Sequence, residues 1–263
     1  MTKKRNILFA LLSFALIAAY VGLWFYSANW FKREIDRAYT NADKNGVRFL
    51  GPKPILGNFP FVPEVCYEGG IQAGNALIEF PKMVLRGYPV PGMRVHISFP
   101  EGISLDGIAN PAIWHLTDLS ADIIVPYTLP RSLEYDDMLD WKNRDGKIDI
   151  RRYRMVKDEL QAEGNGLLTI DTDLQPVFHL DSTIRDYELF IQSQIDKGLI
   201  EPFPGAIGMT ILNRFSHIDQ KTKEKTVTMT VSVENRMLTV GPLQVLQLPE
   251  IVWDKHSSPG LRL

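Results

Sequence analysis

Cysteine is almost missing from this chain: Cys66 is the only one in 263 residues. A single thiol excludes an intramolecular disulfide and any cysteine-based zinc site, so stability must come from packing. Cys66 itself reads as a small buried hydrophobe rather than a nucleophile. An excess of charge of one sign is missing too. Lys and Arg total 29 against 31 Asp and Glu, a formal net charge of -2, which argues against nucleic acid as a partner. There is no Gly-x-Ser-x-Gly elbow, phosphate-binding loop or dinucleotide fingerprint. None of His96, His115, His179, His217 and His256 pairs with another at the i, i+4 spacing of a helical zinc site. No cofactor is expected, and no catalytic or metal-ligating residue is assigned.

A further absence is local. Between Arg5 and Lys32 the chain carries no charge. Within that gap Ile7 to Tyr26 reads ILFALLSFALIAAYVGLWFY. No face of this run is polar, which excludes a core helix of a small domain, and about 20 apolar residues suffice to cross a bilayer. Lys3, Lys4 and Arg5 precede it, and Trp24, Tyr26 and Trp30 sit at its far end, where amphipathic aromatics favour the membrane interface. A small-x-small cleavage site is lacking: Ala28 has Tyr26 two positions before it, and Ser13 with Ala15 lies inside the run. The run therefore reads as an uncleaved signal anchor. The expected layout is a cytoplasmic basic start over 1–6, a transmembrane helix over 7–27, a juxtamembrane helix or linker over 28–50, a β-rich periplasmic or lumenal domain over 51–254 and a frayed tail over 255–263. Trp30, Ile35 and Ala38 would form the stripe of a short continuing helix that lifts the domain off the inner membrane.

Behind the anchor, Pro52, Pro54, Pro60 and Pro63 exclude a helix and disfavour a central strand. The pattern then turns to strict alternation. Val95, Ile97 and Phe99 oppose Arg94, His96 and Ser98, and Leu119, Ala121, Ile123 and Val125 form a second inward set. Lys147 to Val156 starts as a strand and changes phase at Arg151-Arg152, which predicts a bulge. Asp145-Gly146 and Asn165-Gly166 are hairpin-type dipeptides. Ser182 or Thr183 would cap one helix through Ile184, Tyr187, Ile191 and Ile195, stopped by Gly198. Val227, Met229, Val231 and Val233 are expected on the core face of a late strand, with a turn near Glu234 to Arg236 and a second strand to Val240. The fold class expected is mainly β (α+β), an antiparallel twisted sheet or half-open roll with one or two helices.

Three constellations bear on chemistry. Asn143, Asp145, Gly146 and Asp149 imitate the middle of a calcium loop, but Trp141 and Arg152 stand at its first and twelfth positions, so a plain turn is expected. Asp171 and Asp173 would share one strand face as a carboxylate pair. Arg144, Lys147, Arg151, Arg152, Arg154 and Lys157 form the densest basic cluster, which would meet anionic lipid head groups or be balanced by Asp136, Asp137 and Asp140.

Gly57-Asn58-Phe59-Pro60-Phe61, the segment Lys197-Gly198-Leu199-Ile200 and the run VTMTVSVENRMLTVGPLQVLQLPEIVW over 227–253 resemble the bacterial envelope family catalogued as domain of unknown function 2125. The resemblance implies an amino-terminal anchor, a Gly-Phe-Pro-Phe segment, here with Asn58 set into it, and a late strand pair ending in Gly-Pro. It implies no activity and no catalytic residues. The layout is also distantly like AsmA-type envelope proteins, which handle lipids. The function expected is a non-enzymatic, membrane-anchored envelope protein whose apolar sheet face binds a lipid-like ligand or a protein partner. The alternatives are a membrane-tethered hydrolase using strand-borne carboxylates and a structural subunit of an envelope complex.

Overall fold

The computed structural model describes residues 2–42, 47–73, 76–106, 115–128, 130, 135–220, 222–248, 250–251 and 253, with backbone alone for residues 2–15, 17, 38, 41, 42, 47, 73, 76, 105, 106 and 246. The expected tail over 255–263 lies outside the described residues. The chain opens with helix α1 (Thr2–Ala42). Eight strands follow: β1 (Val47–Leu50), β2 (Ile55–Gly57), β3 (Glu64–Ala73), β4 (Ala76–Gly87), β5 (Arg94–Phe99), β6 (Ile103–Asp106), β7 (His115–Leu116) and β8 (Asp118–Ile124). Helix α2 (Tyr135–Asn143) leads to β9 (Ile148–Lys157), β10 (Leu160–Ile170) and β11 (Pro176–Arg185). Then come α3 (Tyr187–Asp196), α4 (Pro202–Arg214), β12 (Ser216–Ile218), β13 (Lys225–Glu234), β14 (Met237–Val240) and β15 (Leu243–Gln247).

All these strands join one antiparallel sheet whose path runs β1-β3-β4-β5-β8-β9-β10-β11-β13-β14-β15, with β2, β6, β7 and β12 paired to its flanks. Its two end strands do not pair with each other, so the sheet is open. Neighbours along the chain are mostly neighbours in the sheet, because short two-residue turns connect them. Asp158 (φ 49°) turns β9 into β10, and Asn235 and Arg236 (φ 49° and 64°) turn β13 into β14. In the second of these turns, positive φ at both central residues matches the right-handed strand twist.

The alternation holds across the sheet. Register places Val95, Ile97 and Phe99 beside Ile123, Ala121 and Leu119, and these beside Ile150, Tyr153 and Met155. Val227, Met229, Val231 and Val233 lie beside Ile184, Ser182, Leu180 and Phe178, with Val227 and Val233 fully buried and the middle two half-buried. The phase change falls as the basic pair suggests: Arg152 pairs with Asp122 and Ile150 with Ile123, so Arg151 is the extra residue of a bulge.

Five local expectations are corrected. Behind α1 the described residues hold three helices, not one or two. α2 and α4 lack a clean apolar stripe, and α4 opens on Pro202-Phe203-Pro204-Gly205, which reads as a turn until the proline is recognised as pre-set for the first helical position. Ser182 and Thr183 belong to β11, and α3 begins only after Asp186 in the left-handed region (φ 56°). Gly198 (φ 71°) does stop it. Asn165-Gly166 makes no hairpin. It lies within β10 at a register shift, where Gly164 and Gly166 let β11 approach: an added Cβ would sit 1.8 Å from the Asp181 carbonyl oxygen and 2.0 Å from that of His179. Gly164→Val is accordingly expected to cost about 2 kcal/mol in a urea melt by forcing β10 from β11; an unchanged midpoint would contradict this pairing. Asp145-Gly146 ends α2 rather than joining two strands, with the Gly146 N–H on the Trp141 carbonyl at 2.9 Å. Finally, the sheet starts at Val47, inside the span expected to be juxtamembrane helix or linker.

α1 does not stand the sheet off on a stalk. Trp24, Ser27, Ala28 and Phe31 are buried on one side of the helix, Tyr39 stacks on Phe49 at 4.6 Å, and the Tyr39 hydroxyl donates to the Pro52 carbonyl at 3.1 Å. Positions 24, 28, 31 and 39 recur at helical spacing and seat the second half of α1 along the β1–β2 edge. Trp30 and Ile35 of the expected stripe are only half-buried. Among the residues described in full, no helix is long and apolar enough to cross a membrane, and residues 7–15 of the uncharged run are not among them.

Candidate functional site

The two faces of the sheet differ in kind. One is a lattice of ion pairs. Arg154 meets Asp118 at 2.7 Å, Arg152 meets Glu163 at 3.6 Å, and Arg185 meets Glu163 at 2.5 Å. His96 Nδ1 lies 2.8 Å from Asp122, which Arg94 approaches at 3.8 Å. His179 lies 3.2 Å from Glu234. Arg185 and Glu163 are half-buried, while the other cations are mostly exposed, and an exposed pair contributes about 0–1 kcal/mol. Cys66 is half-buried, and its Sγ lies 3.5 Å from Glu64 Oε1. Burial first, then that carboxylate, raises the thiol pKa and quiets it as a nucleophile.

The basic cluster divides. Arg151 pairs with Asp149 at 2.9 Å, Arg144 with Asp140 at 2.6 Å and Lys147 with Asp145 at 2.7 Å. With Arg152 and Arg154, five of the six cations thus face local carboxylates, mostly not the acidic residues expected. Lys157 stands apart: it is buried, donates to the His115 carbonyl at 3.1 Å, and has its pKa lowered chiefly by burial.

The other face is apolar. Phe49, Tyr67, Phe80 and Phe99 form an edge-to-face aromatic row across β1, β3, β4 and β5, with successive centroids 6.1, 5.5 and 5.4 Å apart. Tyr153, Ala162, Ile184 and Val227 form a buried cluster under Tyr187 and Leu212 of α3 and α4. The Tyr153 hydroxyl donates to Ser182 Oγ at 2.5 Å, and Ser182 donates on to the Leu180 carbonyl, so the polar atoms here are satisfied. Burial raises the Tyr153 phenol above its usual pKa. α2 closes a second cluster of Met138, Trp141 and Leu174.

Between α1 at the first edge and α3 and α4 further along, the middle strands have less cover. Ile97, Phe99, Leu119 and Ile123 lie on the apolar face and are only half-buried, whereas Val95 is buried and Ile150 and Met155 pack against the cluster under α3 and α4. An open sheet with an aliphatic middle can hold acyl chains or another apolar surface. That face carries no carboxylate over these strands.

The other constellations resolve locally. Asp171 and Asp173 lie in the β10–β11 turn rather than on a strand face; Asp171 Oδ1 accepts the N–H groups of Asp173 and Gln175, each at 2.8 Å. Among the described residues no group of three or more His, Cys, Asp or Glu could hold a metal ion. His96 has a carboxylate, and His115 has a hydroxyl, Ser104 Oγ at 2.8 Å. These half-arrangements sit at different places, and nothing among the described residues completes either into a nucleophile–base–acid triad. What sequence reading missed is the aromatic row: Phe49, Tyr67 and Phe80 are far apart in the chain, and only strand pairing brings them together.

These features define a class: a one-sided open antiparallel sheet with an apolar face that helices cover in part. The chain belongs to the family of uncharacterized proteins conserved in bacteria called domain of unknown function 2125, whose profile matches residues 100–249. The match takes in most of the late run that carries the resemblance but not Gly57 to Phe61. No curated protein and no solved structure matches the chain, so the likeness of layout to AsmA-type proteins has no match behind it.

Proposed function

We propose that this is a membrane-anchored, non-enzymatic protein of the cell envelope whose apolar sheet face holds a lipid-like ligand. One observation carries the reading: the half-buried strip of Ile97, Leu119 and Ile123 over β5 and β8, which lies outside the clusters that the helices cover. Apolar area of this kind is stabilised by meeting hydrocarbon, at about 25 cal/mol per Å². The anchor is proposed for Ile7 to Tyr26, with the sheet on the periplasmic side. Leu16, Tyr20, Phe25 and Tyr26 of this run are exposed on α1, an arrangement suited to lipid and poorly suited to water. Head-group contact through Arg144, Lys147, Arg151, Arg152 or Arg154 would require exposed ion pairs to exchange a carboxylate for a phosphate, a modest cost.

The test is photocross-linking in native membranes, with benzoylphenylalanine at Ile97 or Leu119 and, as control, at Ser120 on the ion-paired face. Lipid adducts identified by mass spectrometry from Ile97 and Leu119 but not Ser120 are expected. Protein adducts alone from Ile97 would make the strip a partner interface and overturn the lipid reading. No adduct from either would overturn both.

A further inference from the structure

Three loops meet at one end of the sheet: 58–62 before β3, 88–93 before β5 and 125–128 after β8. Their backbones are tied together. The Gly87 N–H donates to the Pro63 carbonyl at 3.1 Å, Gly92 to Val125 at 2.9 Å and Val125 to Met93 at 2.9 Å. From these loops Phe59 (53 % exposed), Phe61 (68 %), Met93 (41 %) and Tyr127 (84 %) point outward. Single exposed apolar residues are ordinary, but four large ones on adjoining loops form a patch that marks an interaction surface.

α1 says what covers it. Trp24 meets Phe59 edge-on at 4.9 Å, Phe25 lies 5.9 Å from the same ring, and the Tyr20 hydroxyl donates to the Pro60 carbonyl. Tyr88 is pushed up to about 12 by burial and then by the Tyr20 hydroxyl beside it. The loops are therefore level with Tyr20 to Phe25, the last turns of the run Ile7 to Tyr26. The first charge, Lys32, lies eight residues beyond Trp24, about 12 Å along the helix. A bilayer that ends at Tyr26 reaches the loop tips.

We propose that these loops are a membrane-seated tip: Phe59 and Phe61 enter the interfacial layer of the bilayer beside α1, with Met93 and Tyr127 at its surface. Phe and Tyr suit that layer because an apolar ring is buried while the backbone stays near polar head groups. The domain then sits against the membrane at this end. The inference rests on the anchor proposed above.

The test uses the full chain in nanodiscs of phosphatidylethanolamine and phosphatidylglycerol, in a Cys66→Ser background. A nitrobenzoxadiazole label is placed on a single cysteine at Phe61, at Tyr127 or, as control, at exposed Glu101 in the turn at the other end of β5. Spin-labelled lipids should quench residue 61 at least about threefold more than residue 101, with a blue-shifted emission, as expected for a side chain about 5–10 Å into the interface. A label at Tyr127 should lose quenching when Phe59 and Phe61 are both Ser, while the protein stays in membranes. Equal quenching at 61 and 101 in protein that resists alkaline extraction overturns the tip and leaves the anchor standing. Protein stripped by alkaline extraction overturns the anchor and the tip with it.

Discussion

Replacing Val227 by Asp is expected to abolish cooperative folding, where replacing its neighbour Thr228 by Asp leaves the fold nearly intact. Val227 is 0 % exposed and sits in the cluster of Tyr153, Ala162, Ile184, Tyr187 and Leu212. A carboxylate there has no water and no cation, and the loss should be about 4 kcal/mol or more in a urea melt. Thr228 is exposed and lies opposite Thr183 on the polar face, so Asp there should cost under about 0.5 kcal/mol. Thr230 is a poorer control: its hydroxyl donates to Asp181 at 3.2 Å, and a carboxylate in its place would face a like charge. Equal losses at 227 and 228 would mean that both faces of β13 are buried, and the one-sided sheet would be wrong.

Leu174→Ala should cost about 3 kcal/mol, within the range for a fully buried leucine. Leu174 is 0 % exposed and fills the space between Met138 and Trp141 of α2 and the half-buried Ile148, Ile170 and Trp253. Its carbonyl accepts the Trp253 indole N–H at 3.1 Å, and Gln175 next to it clasps Ile251 through two bonds of 2.9 Å. A cavity here should therefore loosen the segment around 251–253, seen as a red shift of tryptophan emission. The backbone makes a second comparison informative. Leu174 is left-handed (φ 57°), a region that costs an L-residue about 1–2 kcal/mol and glycine nothing. Leu174→Gly should then be no less stable than Leu174→Ala, the reverse of the usual order. A glycine variant weaker by about 1 kcal/mol would refute the left-handed turn.

The strand pattern was legible in the sequence because a half-buried antiparallel strand must alternate, and its period of two leaves little room for misreading. Val95 to Phe99, Leu119 to Ile123 and Val227 to Val233 all lie on one face as their spacing requires. The bulge at Arg151 was legible for the same reason, as a break in that period. Turn chemistry was less reliable. Asn165-Gly166 has the stronger turn chemistry, yet the chain reverses at Asp158-Glu159, because β11 needs the glycines at 164 and 166 for close approach. The helices failed where propensity was weak: α4 opens on two prolines, and α2 hides its buried Met138 and Trp141 among Asp136, Asp137 and Asp140.

By itself the sequence determined a mainly β chain without disulfides, an uncharged run of membrane-spanning length, and membership of a bacterial family. The first two follow from local composition or period, and the third from the late motifs and the profile match over residues 100–249. Tertiary structure alone decided that Arg152 and Arg154 of β9 are matched by carboxylates on neighbouring strands, that Phe49, Tyr67, Phe80 and Phe99 share one row, and that Phe59 lies against Trp24. These depend on which strands pair and in what register, and register is fixed by burying one whole face of the sheet at once, a condition that no single stretch of sequence contains.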